Sequence, residues 1–149
     1  MTQQITRHDP RLGAWTAFLR AHARLSRELE RELQAEQRMA LTDYDVLVQL
    51  ANAGERRLRM SELADRLLLS RSGATRLVDR LVAQGLVERV VCDVDRRGQW
   101  ASLTDAGYER LRQASPTHLR GVAEHFLDRL SADELQAMER MFTRLDDET

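Results

Sequence analysis

The sequence predicts a mostly α-helical fold with a small β-hairpin, in which a winged helix-turn-helix lobe sits between N- and C-terminal helices. Three observations carry that prediction. Long runs at both ends space their apolar residues three and four apart, two short helical segments in the middle are separated by about two residues, and two runs rich in β-branched and aromatic residues follow around a seven-residue loop. At 149 residues the chain is expected to form one domain with its own core. Within it, residues 12–38 form an N-terminal helix, 42–104 the winged lobe and 105–149 the C-terminal helices.

Between Leu12 and about Arg38 no Gly or Pro follows Gly13, and Trp15, Phe18, His22, Leu25, Leu29 and Leu33 make one stripe on a helix of about seven turns. A helix that long needs a partner along its length. In "LTDYDVLVQLANAG", Thr42 is placed to cap the next helix, Asp43 and Asp45 suit its positive first turn, and Gly54 is placed to stop it. "RLRM" at 57–60 reads as a brief extended segment. In "SELADRLLLS", Ser61 is the expected cap of a short helix burying Leu63, Ala64, Leu67 and Leu68.

Ser70 caps the following helix, "SRSGATRLVDRLVAQG", and Gly85 takes the left-handed position after it. Its helical wheel sets Ala74, Leu77, Val78 and Leu81 on one side and Ser72, Arg76, Asp79 and Ala83 on the other, with Thr75 and Arg80 flanking. "LVERVV" (86–91) and "QWASL" (99–103) are the hairpin strands around the tip "CDVDRRG". Thr104 caps the next helix, which Pro116 either kinks or, with Ser115 as a fresh cap, divides. Ser131 and Glu134 form a capping box for the last helix, whose stripe is Leu135, Met138, Phe142 and Leu145.

Composition narrows the chemistry. Hydrophobic residues are 42% and charged residues 32% of the chain, within the globular range. No apolar run approaches the ~20 residues of a membrane span, and the N-terminus has no signal-like apolar stretch, so a cytoplasmic protein without membrane contact is expected. Cys92 is the single cysteine, which leaves no intrachain disulfide and no cysteine-rich zinc site. All 23 basic residues are arginine, so lysine-amine chemistry and the phosphate-loop lysine are excluded. Without a nucleophile-base pattern, a metal cluster or a glycine-rich phosphate loop, no enzyme and no cofactor is expected. Net charge is −1, yet residues 56–97 hold ten arginines against six acids, so one segment is locally basic.

A helix pair followed by a hairpin over that basic segment is the arrangement in which the second helix enters the DNA major groove and the hairpin tip lies along the adjacent backbone or minor groove. Ser70, Arg71, Ser72, Thr75, Arg76 and Arg80 are the candidate recognition-helix contacts, since guanidinium pairs bidentately with guanine and hydroxyls reach bases or phosphates. At the wing, Arg96 and Arg97 are the candidate minor-groove or phosphate contacts, with Asp95 orienting them. Double-stranded DNA is the expected partner. The rival reading is a winged-helix module for protein contacts, its basic surface docking an acidic partner without specific DNA binding.

These residues also carry a resemblance. The stretch "SELADRLLLSRSGATRLVDRLVAQGLVERVVCDVDRRGQWASLTDAG", with Gly85-Leu86-Val87, Asp95-Arg96-Arg97-Gly98 and Leu103-Thr104-Asp105-Ala106-Gly107, resembles the DNA-binding lobe of MarR-type transcriptional regulators. The resemblance extends to the flanking helices and covers nearly the whole chain. It implies a homodimer formed by the terminal helices, here with Phe18, Leu135, Met138, Phe142 and Leu145 at the interface, reading a palindromic operator as a repressor. It also implies release by a small aromatic or phenolic anion bound between the dimer helices and the DNA lobe.

Trp15 is read first as a dimer or core anchor. The alternative is a place in that effector pocket with His22, Asp65 and Arg66, where a guanidinium facing an aromatic ring supplies charge and stacking for a planar anion. Cys92, at the base of the wing, is not expected to sense oxidants, because peroxide-sensing relatives carry their cysteine on the first helix. His118 and His125 lie seven apart with Glu124 nearby, a spacing that makes a metal site only with ligands from elsewhere in the fold; no metal is expected from the sequence.

Overall fold

The computed structural model describes residues 5–91 and 98–147. Six α-helices and three short strands follow in order: α1 (Leu12–Gln37), α2 (Leu41–Ala51), β1 (Arg57–Arg59), α3 (Met60–Arg66), α4 (Arg71–Ala83), β2 (Val87–Val91), β3 (Gln99–Leu103), α5 (Asp105–His125) and α6 (Ala132–Asp146). The expected hairpin is present but is not the whole sheet. β1 pairs antiparallel with β3, Leu58 opposite Ala101, to give the order β1-β3-β2. Three residues are too few to show a pattern in sequence; the free edge of β3 supplies β1 with hydrogen bonds, and Leu58 anchors it in the core.

Val46, Leu47 and Leu50 of α2, Leu63 of α3, Leu77, Val78 and Leu81 of α4, and Val87, Ala101 and Leu103 of the sheet form one cluster. The wheel expected for α4 is the wheel observed, with Ala74, Leu77, Val78 and Leu81 inside. Leu68, expected to be buried, is 93% exposed. It occupies the left-handed position that ends α3 (φ 55°), where its N–H donates to Asp65 O and the next N–H, of Leu69, to Ala64 O. This closure turns the side chain at that position outward.

Two caps differ from expectation. α2 begins at Leu41, so Thr42 is already helical; the N–H of Leu41 is served instead by Glu30 Oε2 of α1 at 2.6 Å. α3 begins at Met60, one residue before Ser61, and Glu62 Oε2 accepts from the Arg59 N–H. Gly54 stops nothing, since α2 already ends at Ala51. Asp43 lies in the first turn of α2 as expected, but it is buried, and its carboxylate accepts from the Arg80 guanidinium.

The wing is joined to α5 by one compact lock. Gly85 (φ 74°) ends α4, and its carbonyl accepts from Thr104 Oγ1 at 2.8 Å. The same Oγ1 caps α5 by accepting from Gly107 N, while Thr104 N donates to Leu86 O. A Cβ on Gly107 would lie 2.0 Å from Leu86 O, so only glycine lets α5 start against this strand. α5 then runs unbroken through Pro116, with Ser115 Oγ donating to Leu111 O rather than capping a new helix. α6 carries the expected Ser131–Glu134 capping box.

α5 packs along the second half of α1 and across α2. Gln37 donates to Thr117 and accepts from Arg110, and Tyr44 OH bonds Ser115 Oγ. The first half of α1 is different. Of its predicted stripe only Leu33 is buried, while Trp15, Phe18 and His22 are exposed. α6 buries no residue, and its apolar side meets α1 through the Phe18–Phe142 ring contact, centroids 5.4 Å apart. Among the described residues no helix is long and apolar enough to cross a membrane.

Candidate nucleic-acid interface

The outer face of α4 begins at its cap. Ser70 Oγ accepts from Gly73 N at 3.1 Å and lies 3.2 Å from Ser72 Oγ. A Cβ on Gly73 would crowd that oxygen at 3.1 Å, so the glycine keeps the cap intact. The capped end also presents the positive pole of the helix. Arg71, Ser72, Thr75 and Arg76 are all exposed on the first turns, and their hydroxyls and guanidiniums share this end of the helix.

The arginines of the lobe divide into two groups. Arg80, placed by its sequence position on the DNA side, sends its guanidinium to the buried carboxylate of Asp43 and so ties α4 to α2. Arg89, on β2, ties the wing to α4: it reaches Asp79 at 2.7 Å, Thr75 O at 3.4 Å and Gln99 Oε1 at 2.7 Å. Arg56 lies over the Tyr108 ring at 4.0 Å, and Arg57 and Arg59 both lie over Trp100. Arg71 and Arg76, by contrast, make no ion pair or ring contact among the described residues. Both residues are exposed.

Arg59, Met60, Ser61, Arg71, Thr75, Gly98 and Gln99 line an open groove of about 390 Å³ between the start of α3, the face of α4 and the root of the wing. Its walls therefore come from β1, α3, α4 and the start of β3. The wing residues Asp95, Arg96 and Arg97, and Cys92 with them, lie outside the described residues.

The candidate effector residues do not line one groove together. Trp15 lines an apolar groove with Ala14, Phe18, Met138, Met141 and Phe142, whereas His22, Asp65 and Arg66 are not among that groove's lining. The aromatic ladder Trp15–Phe18–His22, with centroids 6.0 and 6.3 Å apart, runs along the surface of α1. Phe18, Met138, Phe142 and Leu145, expected at a dimer interface, share the Trp15 groove, and Leu135 is half-buried on the same helix.

Sequence reasoning missed Arg89. A charged residue in the middle of the apolar run "LVERVV" is the signal that would have found it, because such a residue needs a partner on the face it shares with the core.

The sequence profile of the MarR family matches residues 39–98. The transcriptional repressor MprA of Escherichia coli (strain K12) is 32% identical over 104 residues, 70% of this chain. The matched stretch spans only 58% of MprA's own length. Among solved structures, AbsC, a MarR family transcriptional regulator from Streptomyces coelicolor, superposes with a TM-score of 0.86 at 32% identity, over 97% of this chain and 96% of AbsC. Sco3205, a MarR family regulator from the same organism solved in complex with DNA, gives 0.87 at 34% identity over 98% of this chain and 90% of Sco3205.

Proposed function

The chain belongs to the MarR family, and on that premise we propose that it is a sequence-specific DNA-binding transcriptional regulator, a repressor that acts as a homodimer on a palindromic operator. One observation carries the reading: among the described residues Arg71 and Arg76 stand exposed and without an ion-pair partner on the first turns of α4, while the neighbouring Arg80 and Arg89 are spent on holding that helix in place. A guanidinium held out on a fixed helix, with Ser70, Ser72 and Thr75 hydroxyls beside it, suits base edges and phosphates in a major groove. Arg96 and Arg97 take the wing role, with Asp95 steering them.

Dimerisation is supported by the exposed apolar surface of the terminal helices. Trp15, at 57% exposure, and Leu145, at 77%, border the groove that Phe18, Met138 and Phe142 share. A second copy would cover that surface and set two recognition helices about 34 Å apart for half-sites one turn apart. Release by a small aromatic or phenolic anion is the remaining part of the proposal.

The test is binding to the DNA upstream of the protein's own gene against a scrambled duplex of equal composition. Preference for the natural sequence is expected, with a steep salt dependence whose slope falls by about one in Arg97→Ala. Equal binding to both duplexes, or to neither, would overturn it; the second result is the one a protein-docking module would give. Release of the complex by one class within a panel of small aromatic acids would identify the effector, and no release by any of them would remove that part.

A further inference from the structure

α5 ends at Glu124 and His125, directly against Glu32 of α1. His125 Nε2 stands 2.6 Å from Glu32 Oε1, and one ligand atom each from Glu32, Glu124 and His125 lie within 4.8 Å of one another. Glu32 and His125 are largely buried, with side chains 13% and 19% exposed, while Glu124 opens to solvent. The second carboxylate oxygen, Glu32 Oε2, is fully buried and has no hydrogen-bond donor among the described residues. A charged oxygen cut off from water and left without a partner is costly to keep, and needs an explanation.

The fold makes room for that oxygen. A Cβ on Gly121 would lie 2.4 Å from Glu32 Oε2 and 2.8 Å from Leu29 Cδ2, so a glycine in the middle of α5 cuts a notch for a carboxylate. Glycine inside a helix is otherwise a liability. Nearby cations do not fill the need: Arg31 is held by Glu28 and comes no nearer than 3.7 Å to the other oxygen, Oε1, and Arg120 is paired with Glu36. His118, one face-repeat before His125, is stacked on Tyr44 with ring centroids 4.3 Å apart and stays outside the cluster.

We propose that Glu32, Glu124 and His125 bind a divalent transition-metal ion, with zinc the best match, and that the ion staples α1 to α5. One imidazole nitrogen and two carboxylates are donors that zinc accepts at about 2.0–2.2 Å, with a fourth, outward position left for water. Tetrahedral donors at that range stand roughly 3.3 Å apart, so the 2.6 Å contact between His125 and Glu32 Oε1 has to open by less than an ångström, and the separations to Glu124, within 4.8 Å, have to close by at most about 1.5 Å through rotation of its exposed side chain. Hard cations that ask for six or more oxygens are not served by this set. The ligand from elsewhere that the histidine spacing on α5 lacked is Glu32.

The experiment uses the full chain, stripped with chelator and titrated with zinc chloride against a chromophoric competitor, then with cobalt(II) chloride. One zinc per chain is expected, with intense visible cobalt bands of a four-coordinate site. His125→Gln and Glu124→Gln should each weaken zinc binding by at least roughly tenfold, with unchanged circular dichroism. Glu109→Gln, an exposed acid elsewhere on α5, should bind like the parent. Absence of stoichiometric zinc binding, or binding that survives His125→Gln unchanged because His8, His22 or Cys92 supplies it, would overturn the proposal. Neither result depends on whether the protein binds DNA.

Discussion

Replacing Arg80 by alanine separates two uses of one side chain. Its position on α4 places it beside the DNA face, but its guanidinium bonds the carboxylate of Asp43, a residue only 7% exposed. Arg80→Ala leaves that carboxylate buried without its donor, a loss of about 1–3 kcal/mol. The Arg80 side chain is itself 51% exposed, so water reaches part of the vacated space and the expected cost is near the middle of that range, about 2 kcal/mol. For a chain of this size that lowers the melting temperature by about 4–8 °C. Arg76→Ala, which breaks no ion pair or ring contact among the described residues, should stay within about 0.5 kcal/mol of the parent. Calorimetry of both variants, with DNA affinity measured well below either transition, distinguishes the roles. If Arg80→Ala melted with the parent protein and lost DNA affinity as strongly as Arg76→Ala, the Asp43 clamp would be refuted and Arg80 would return to the DNA face.

Three further outcomes follow from other parts of the fold. Gly107→Ala puts a methyl 2.0 Å from Leu86 O and 2.6 Å from Leu103 Cδ1, so a loss of more than about 3 kcal/mol, or failure to accumulate folded protein, should appear in urea unfolding. Leu68→Gly relieves a left-handed conformation at a side chain that is almost wholly exposed, and the urea midpoint should rise by the equivalent of about 0.5–1 kcal/mol; a fall would mean that the leucine makes stabilising contacts. Burial holds the His118 imidazole below its ordinary pKa, so the unfolded chain takes up the proton first. Stability from this site is therefore complete above about pH 6.5 and is lost as pH falls toward the folded value; comparison of urea midpoints at about pH 7.5 and 5.5 should show a steeper drop for the parent than for His118→Gln.

What the sequence could carry depended on how local the physics was. Ser70, Thr104 and Ser131 cap their helices as read, and Gly85 takes its left-handed turn, because each of these bonds spans only a few residues. The start of α2 was illegible, since its first N–H is served by Glu30, eleven residues away on another helix. The start of α3 departs from the sequence expectation although its partner is local, because Glu62 serves the Arg59 N–H and the helix begins one residue before Ser61. β1 was too short to show a strand period, and Pro116 left two outcomes that only packing against α1 and α2 decides.

The candidate site follows the same division. The outward face of α4 was readable from helical spacing alone, and Ser72, Thr75 and Arg76 lie where the wheel put them. Spacing could not tell Arg76 from Arg80, because the difference between them is a carboxylate 37 residues away. Nor could it join Trp15 to Asp65 and Arg66, which three-dimensional placement leaves apart from the Trp15 groove.

The measurement closest to the central claim is guanine-N7 methylation interference on the DNA upstream of the protein's own gene. N7 lies in the major groove, so methylation there blocks a bidentate arginine without touching the phosphates. Methylated guanines in two clusters about one helical turn apart should prevent binding by the parent protein, and Arg76→Ala should lose sensitivity at specific guanines at a cost of roughly 1–3 kcal/mol in affinity. Binding indifferent to N7 methylation, or an unchanged interference pattern and affinity in Arg76→Ala, would contradict the assignment of α4 as the reading helix.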